Sequence, residues 1–73
     1  MAEPTMVKVQ SSNIDSVGFD GDNEELHVIF KNGGHYVYEK VASSIHSSMI
    51  AADSVGGFLA KNIKNKFKFR KIK

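Results

Sequence analysis

The chain has no cysteine and no tryptophan, and a single proline, Pro4, among its 73 residues. Without cysteine, neither a disulfide nor a thiolate metal site can staple the fold, and no redox compartment is implied. No apolar run approaches the roughly 20 residues needed to cross a bilayer. Nor does the start, Met-Ala-Glu-Pro-Thr, show the basic and apolar regions of a secretory signal, so a cytoplasmic address is expected. A chain this short buries only about 60% of the surface its unfolded form exposes, so one domain of modest stability is expected.

What is present is polarised charge. Seven of the ten basic residues fall between Lys61 and Lys73, a stretch with no acid, while the preceding residues set Lys8, Lys31 and Lys40 against eight carboxylates. The formal net charge of +2 therefore hides a cationic tail on an acidic body. A cationic segment that also carries Phe67, Phe69 and Ile72 can approach a polyanion and still be anchored, which points to nucleic acid as a partner. The same lysines on an edge strand would also guard against edge-to-edge aggregation.

Period-2 alternation marks Val7 and Val9, then Ile14 to Phe19, then Leu26, Val28 and Phe30, then Tyr36-Val37-Tyr38 as four strands. Ser11-Ser12-Asn13 and Asp20-Gly21-Asp22-Asn23 supply the turns, the latter with a glycine able to take positive φ. Asn32-Gly33 is a strong signal for a two-residue hairpin loop. The period then lengthens. Val41, Ile45, Met49 and Ala52 share one helical stripe, and Asp53 or Ser54 can cap a second helix in which Val55, Phe58, Leu59, Asn62 and Ile63 share a face. Gly56-Gly57 costs that helix roughly 1–2 kcal/mol relative to alanine. Phe67-Lys68-Phe69 returns to alternation as a fifth strand. The expected fold is α+β, a small antiparallel meander of four to five strands with one or two helices packed on one face; a partly open barrel is the alternative shape.

A two-residue Asn32-Gly33 loop sets Ile29 opposite Tyr36, Val28 opposite Val37 and His27 opposite Tyr38. One face then holds Leu26, Val28, Phe30 and Val37 as an aliphatic core, and the other collects His27, Ile29, Lys31, Tyr36 and Tyr38. Helices covering the first face would leave the tyrosines open to stack bases, worth about 1–3 kcal/mol per base. Packing of the rings under a loop, hydroxyls wet, is the structural alternative. In an extended tail Lys66, Lys68 and Arg70 point one way and Phe67, Phe69 and Lys71 the other, so cations align for phosphates. The candidate nucleic-acid-binding residues are Tyr36, Tyr38, His27, Lys64, Lys66, Lys68 and Arg70. Four or five single-strand phosphate contacts imply a log–log salt slope near roughly −3 and dissociation constants of roughly 10⁻⁴ to 10⁻⁶ M.

Catalytic constellations are missing. The same register puts His27 and His35 on opposite faces, so no metal cluster is expected. His46 lies among Ser43, Ser44, Ser47 and Ser48, which reads as a wet helix surface rather than a nucleophile and base. Asp20, Asp22, Glu24 and Glu25 lack the spacing of a calcium loop, and neither glycine pair has phosphate-loop spacing. No catalytic residue, metal or cofactor is expected, and the chain reads as a non-enzyme.

In order along the chain, Val9-Gln10-Ser11-Ser12-Asn13-Ile14, Val17-Gly18-Phe19-Asp20, Leu26-His27-Val28-Ile29-Phe30, Tyr36-Val37-Tyr38 and Ser54-Val55-Gly56-Gly57-Phe58 resemble the KTSC domain. That module is named for the C-terminus of some lysyl-tRNA synthetases and is also found as a stand-alone bacterial or phage protein. The resemblance runs from about Met6 to Ile72, within a single domain taken as residues 1–73. Its marks are the tyrosine-x-tyrosine motif, here Tyr36 and Tyr38, and the serine-x-glycine-x-phenylalanine stretch, here Ser54, Gly56 and Phe58. Phe19 and Phe67 stand where the family commonly has tyrosine, and Ala42 where proline is frequent. The synthetase context implies RNA binding and supplies no catalytic residue. The function expected is low-specificity RNA or other single-stranded nucleic-acid binding by an accessory module. The alternative is a protein-interaction or self-association module, phage-related and without nucleic-acid affinity, in which the same tyrosine face meets an apolar patch or the acidic first half of another copy meets the basic tail. The oligomeric state is not readable from the sequence.

Overall fold

Each alternating segment becomes a strand of one antiparallel sheet. The computed structural model describes residues 4–72. The strands β1 (Val7–Lys8), β2 (Ile14–Asp20), β3 (Glu25–Phe30), β4 (His35–Tyr38) and β5 (Phe69–Lys71) pair in the order β1-β2-β3-β4-β5, a five-stranded meander in which every neighbour in sequence is a neighbour in space. The sheet is open: β5 pairs with β4 and not with β1. Between β4 and β5 lie α1 (Ser43–Ala51), the single turn α2 (Val55–Phe58) and a π-helical segment (Leu59–Ile63) that continues it. The architecture is thus the α+β layering expected from the change of period.

The helices cover one sheet face. Ile14, Val17, Leu26, Val28 and Tyr38 from the sheet meet Val41, Met49, Val55, Leu59 and Ile63 from the helical layer in one buried cluster. Fully burying such a side chain contributes about 1.5–3 kcal/mol, and these contacts supply the stability that no cross-link can. Ser54 is the helix cap: its Oγ accepts a hydrogen bond from the Gly57 amide at 3.0 Å, typically worth about 1 kcal/mol. Val55, Leu59 and Ile63 are buried as the stripe requires. Asn62, expected on the same face, is exposed, because the wider π turn carries it off the apolar stripe.

Two turns differ from their sequence reading. In the acidic turn the residue at positive φ is Glu24 (φ 54°), not Gly21. Asp20 organises that turn by accepting from the amides of Asp22 and Asn23. In the β3–β4 hairpin, Phe30 N–H donates to Gly34 at 2.8 Å and Gly33 N–H to Phe30 at 2.9 Å, while Asn32 Oδ1 accepts from Gly34 N–H. The loop is therefore three residues, Lys31-Asn32-Gly33, with Gly33 at φ 96°, the arrangement that follows a tight turn with one left-handed residue. This corrects the two-residue loop expected from Asn32-Gly33.

Candidate nucleic-acid interface

One extra loop residue shifts the pairing by one position and so exchanges the faces of β4. The observed partners are Leu26 with Tyr38, His27 with Val37, Val28 with Tyr36 and Ile29 with His35. Tyr36 and Tyr38 therefore share the helix-side face with Leu26, Val28 and Phe30. Val37, assigned above to the core stripe, lies on the other face beside His27 and is fully buried there. The exchange seats large aromatic rings, which bury more apolar area than valine, under the helices.

The two tyrosines have different fates. Tyr38 is 2% exposed and belongs to the core, and its burial, with the neighbouring Tyr36, pushes its phenol pKa above the usual value. It cannot splay out to stack a base. Tyr36 lies farther toward the hairpin end and is only half-buried. Its ring meets Phe30 edge-on at 5.3 Å and Phe69 at 5.8 Å, and Phe69 also lies 5.6 Å from Tyr38. Beside these rings is a cleft of about 310 Å³, lined by Phe30, Asn32, Tyr36, Tyr38, Lys64 and Phe69. Lys71 Nζ stands 6.0 Å from the Tyr36 ring centroid, at the outer limit of a cation–π contact.

The basic segment divides in the same way. Only Phe69–Lys71 is strand, with Phe69 opposite Tyr38 and Lys71 opposite Tyr36. Lys64 lies at the end of the π-helical segment and lines the cleft. Lys66 and Lys68 are exposed in the connection that precedes β5 rather than aligned in a strand, and Lys73 lies outside the described residues. Arg70 points to the far face, where it bridges Glu25 at 3.2 Å and Glu39 at 3.3 Å. Its guanidinium is already engaged by two carboxylates, so it does not join Lys64 and Lys71. His27 also lies on the far face, against the grouping with the tyrosines expected above.

That far face holds a second departure. His27 and His35, expected on opposite faces, share this one: His27 Nδ1 and His35 Nε2 are 3.1 Å apart, with ring centroids at 5.2 Å. Glu25 Oε1 lies 4.0 Å from His27 Nε2. His46, read as a wet helix residue, is half-buried and stacks on Phe19 at 5.0 Å with the planes 11° apart; burial lowers its pKa. The Asp20 carboxyl is held below the usual carboxylate range, first by the Asn23 side chain, and acts as a turn cap. Among the described residues no group of three or more histidine, aspartate or glutamate side chains is placed to hold a metal ion, and no helix is long and apolar enough to cross a membrane.

The residues that sequence reasoning missed are Phe30, Asn32, Phe69 and Lys71 around the cleft, and His35 on the far face. Alternation in the tail already put Phe69 and Lys71 on one side; the hairpin register hid the rest.

Comparison with known proteins agrees with this architecture. The fold matches the crystal structure of a KTSC domain protein from Yersinia pestis with a TM-score of 0.93 and 38% identity, over 97% of this chain and 100% of that one. An uncharacterized protein of Stutzerimonas stutzeri is 38% identical over 50 residues, 68% of this chain and 70% of its own. A protein of Tsukamurella paurometabola is 32% identical over 63 residues, 86% of this chain and 94% of its own. The family model of the KTSC domain matches residues 10–67, and the chain belongs to the KTSC domain family.

Proposed function

We propose that this KTSC domain is a binding module without catalytic activity that holds single-stranded RNA, or a comparable flexible polyanion, weakly and with little sequence preference. The observation that carries the reading is the aromatic cleft at the hairpin end of the sheet. Tyr36 stands between Phe30 and Phe69, with Lys64 on the cleft wall and Lys71 near the ring. A base has a ring to stack on, and its flanking phosphates have two cations within the same surface, with Lys66 and Lys68 exposed in the same connection. Stacking on one ring contributes about 1–3 kcal/mol. Four lysine contacts to a single strand give a log–log salt slope near roughly −3.

A fluorescence titration of labelled single-stranded RNA at about 50 and 200 mM salt tests this. Binding should weaken steeply with salt, and Tyr36→Ala should weaken it at both concentrations while Arg70→Gln leaves it nearly unchanged. Absence of saturable binding at the lower salt would reject the proposal. Self-association is the second reading, favoured by the free edge of β5, where Phe69 is 52% and Ile72 50% exposed. A sedimentation run without RNA separates the two: a dimer that lacks RNA affinity supports the edge strand as the functional surface.

A further inference from the structure

We infer that His27 and His35 form a two-histidine site for a borderline transition-metal cation, with Zn²⁺ as the representative ion, on the sheet face opposite the helices. Two imidazole nitrogens bound to one tetrahedral zinc at about 2.0–2.1 Å stand about 3.3 Å apart. His27 Nδ1 and His35 Nε2 already face each other at 3.1 Å, so the nitrogens need separate by only a few tenths of an ångström, with the half-exposed His35 ring tilting so that both lone pairs meet an ion seated beside the N–N line. The strands impose this arrangement: His27 pairs with Val37 and His35 with Ile29, which makes the two histidines diagonal neighbours on adjacent central strands.

The surroundings suit a cation. Behind His27, Glu25 Oε1 is 4.0 Å from Nε2. The contact is longer than a hydrogen bond, but the carboxylate's charge favours the tautomer with hydrogen on Nε2 and leaves the Nδ1 lone pair directed at His35. A small shift would let Glu25 take the orienting role that acids play behind metal-bound histidines. Glu25 is itself fixed by Arg70 at 3.2 Å, and Arg70 by Glu39 at 3.3 Å. Two carboxylates against one guanidinium leave the neighbourhood negative. His27 is 7% exposed and held by the sheet, whereas His35 is half-exposed and gives an ion its approach from solvent. Binding moves the His35 hydrogen from Nε2 to Nδ1, with no net proton release from two neutral rings. Water completes the coordination, because the described residues supply no third histidine or carboxylate.

Zinc chloride titrated into the full chain, followed by long-range proton–nitrogen spectra of the histidine rings, tests the site. The expected result is that the His27 Nδ1 and His35 Nε2 resonances move together and saturate, while those of His46 stay fixed. Glu25→Gln should weaken the apparent affinity by about 10–100-fold, and His35→Gln should abolish saturation. Rings that do not respond to excess zinc, a response confined to His46, or a His35→Gln chain that binds zinc as tightly as the parent would each overturn the assignment. His35 is half-exposed, so its substitution leaves the folded core intact, and the parent chain's spectra decide the matter even if a variant is poorly behaved.

Discussion

The two sides of the β3–β4 hairpin are built from the same ten strand residues, yet they present opposite chemistry. The helix side carries Leu26, Val28, Phe30, Tyr36 and Tyr38 and continues onto β5 as Phe69 and Lys71; the other carries Glu25, His27, Ile29, His35 and Val37 and continues as Arg70. The first side grades from a sealed core at Tyr38 to a cleft edged by lysine at Tyr36. The second is a polar network in which two histidines meet each other and one arginine meets two acids. Nothing in composition separates these sides. Their difference comes from one loop residue, because a period of two turns a one-position slip into a complete exchange of faces.

The largest effect is therefore expected from changing that residue count. Deleting Gly34 while the three-residue Lys31-Asn32-Gly33 loop is kept would pair Phe30 with His35 and Val28 with Val37, bringing Val37 under the helices and both tyrosines to the far face. Tyr38 would lose its buried site, and the paired histidines would separate onto opposite faces. Removing a large aromatic ring from a core costs about 3–5 kcal/mol, comparable to the whole stability of a domain this small. Loss of cooperative unfolding and of amide dispersion in solution spectra is the expected outcome. A deletion variant that keeps Tyr38 in contact with the helical layer would show that side-chain packing, and not loop length, sets the register.

The pattern of legibility follows the same physics. Strands and helices were readable because alternation and the Val41, Ile45, Met49 stripe reflect burial directly, and Ser54 was readable as a cap because its hydroxyl has a local task. The meander order followed from short connections. The hairpin register was not readable, since Asn-Gly serves a two-residue loop and the end of a three-residue loop equally well, and both registers bury an apolar stripe on β3. Everything dependent on it inverted: Tyr36 and Tyr38 went to the core side, His27 and Arg70 away from them, and His35 toward His27. Lys64 beside the cleft depended instead on where the π-helical segment ends. Glu24 at positive φ carried no signal, because glutamate is not a residue that left-handed turns select.

A smaller effect should separate the faces without unfolding the chain. Gly18 pairs with His27 on the far face, and a Cβ there would lie 2.6 Å from Met6 Sδ and 2.9 Å from the Thr5 carbonyl oxygen. The thioether can swing aside, but the carbonyl belongs to the backbone leading into β1, so Gly18→Ala must lift that segment. Overpacking of this kind costs about 1–3 kcal/mol, readable as a lower midpoint in urea. The His27 ring resonances should move and the Tyr36–Phe69 contacts should not. Equal disturbance of both would mean that the two faces are mechanically coupled through the sheet.

The smallest effect sharpens the contrast between histidines on the two sides. His46 stacks on Phe19 over a cavity whose other walls, including Val7, Val17 and Ile50, carry no charge. Burial therefore lowers its pKa from the ordinary 6.5 without a neighbouring acid to offset it. Between the lowered value and 6.5 the unfolded chain binds more protons at this position than the folded one, so stability rises with pH across that window. Above 6.5 both states are neutral at His46 and its contribution is complete; as pH falls toward and through the folded-state value, that contribution is lost. Urea midpoints measured from neutral pH downward should fall more steeply for the parent than for His46→Gln, which has no ring to titrate. The far-face pair is present in both chains and cancels from the comparison, so parallel curves would mean that the stacked ring admits a proton as readily as a free histidine does.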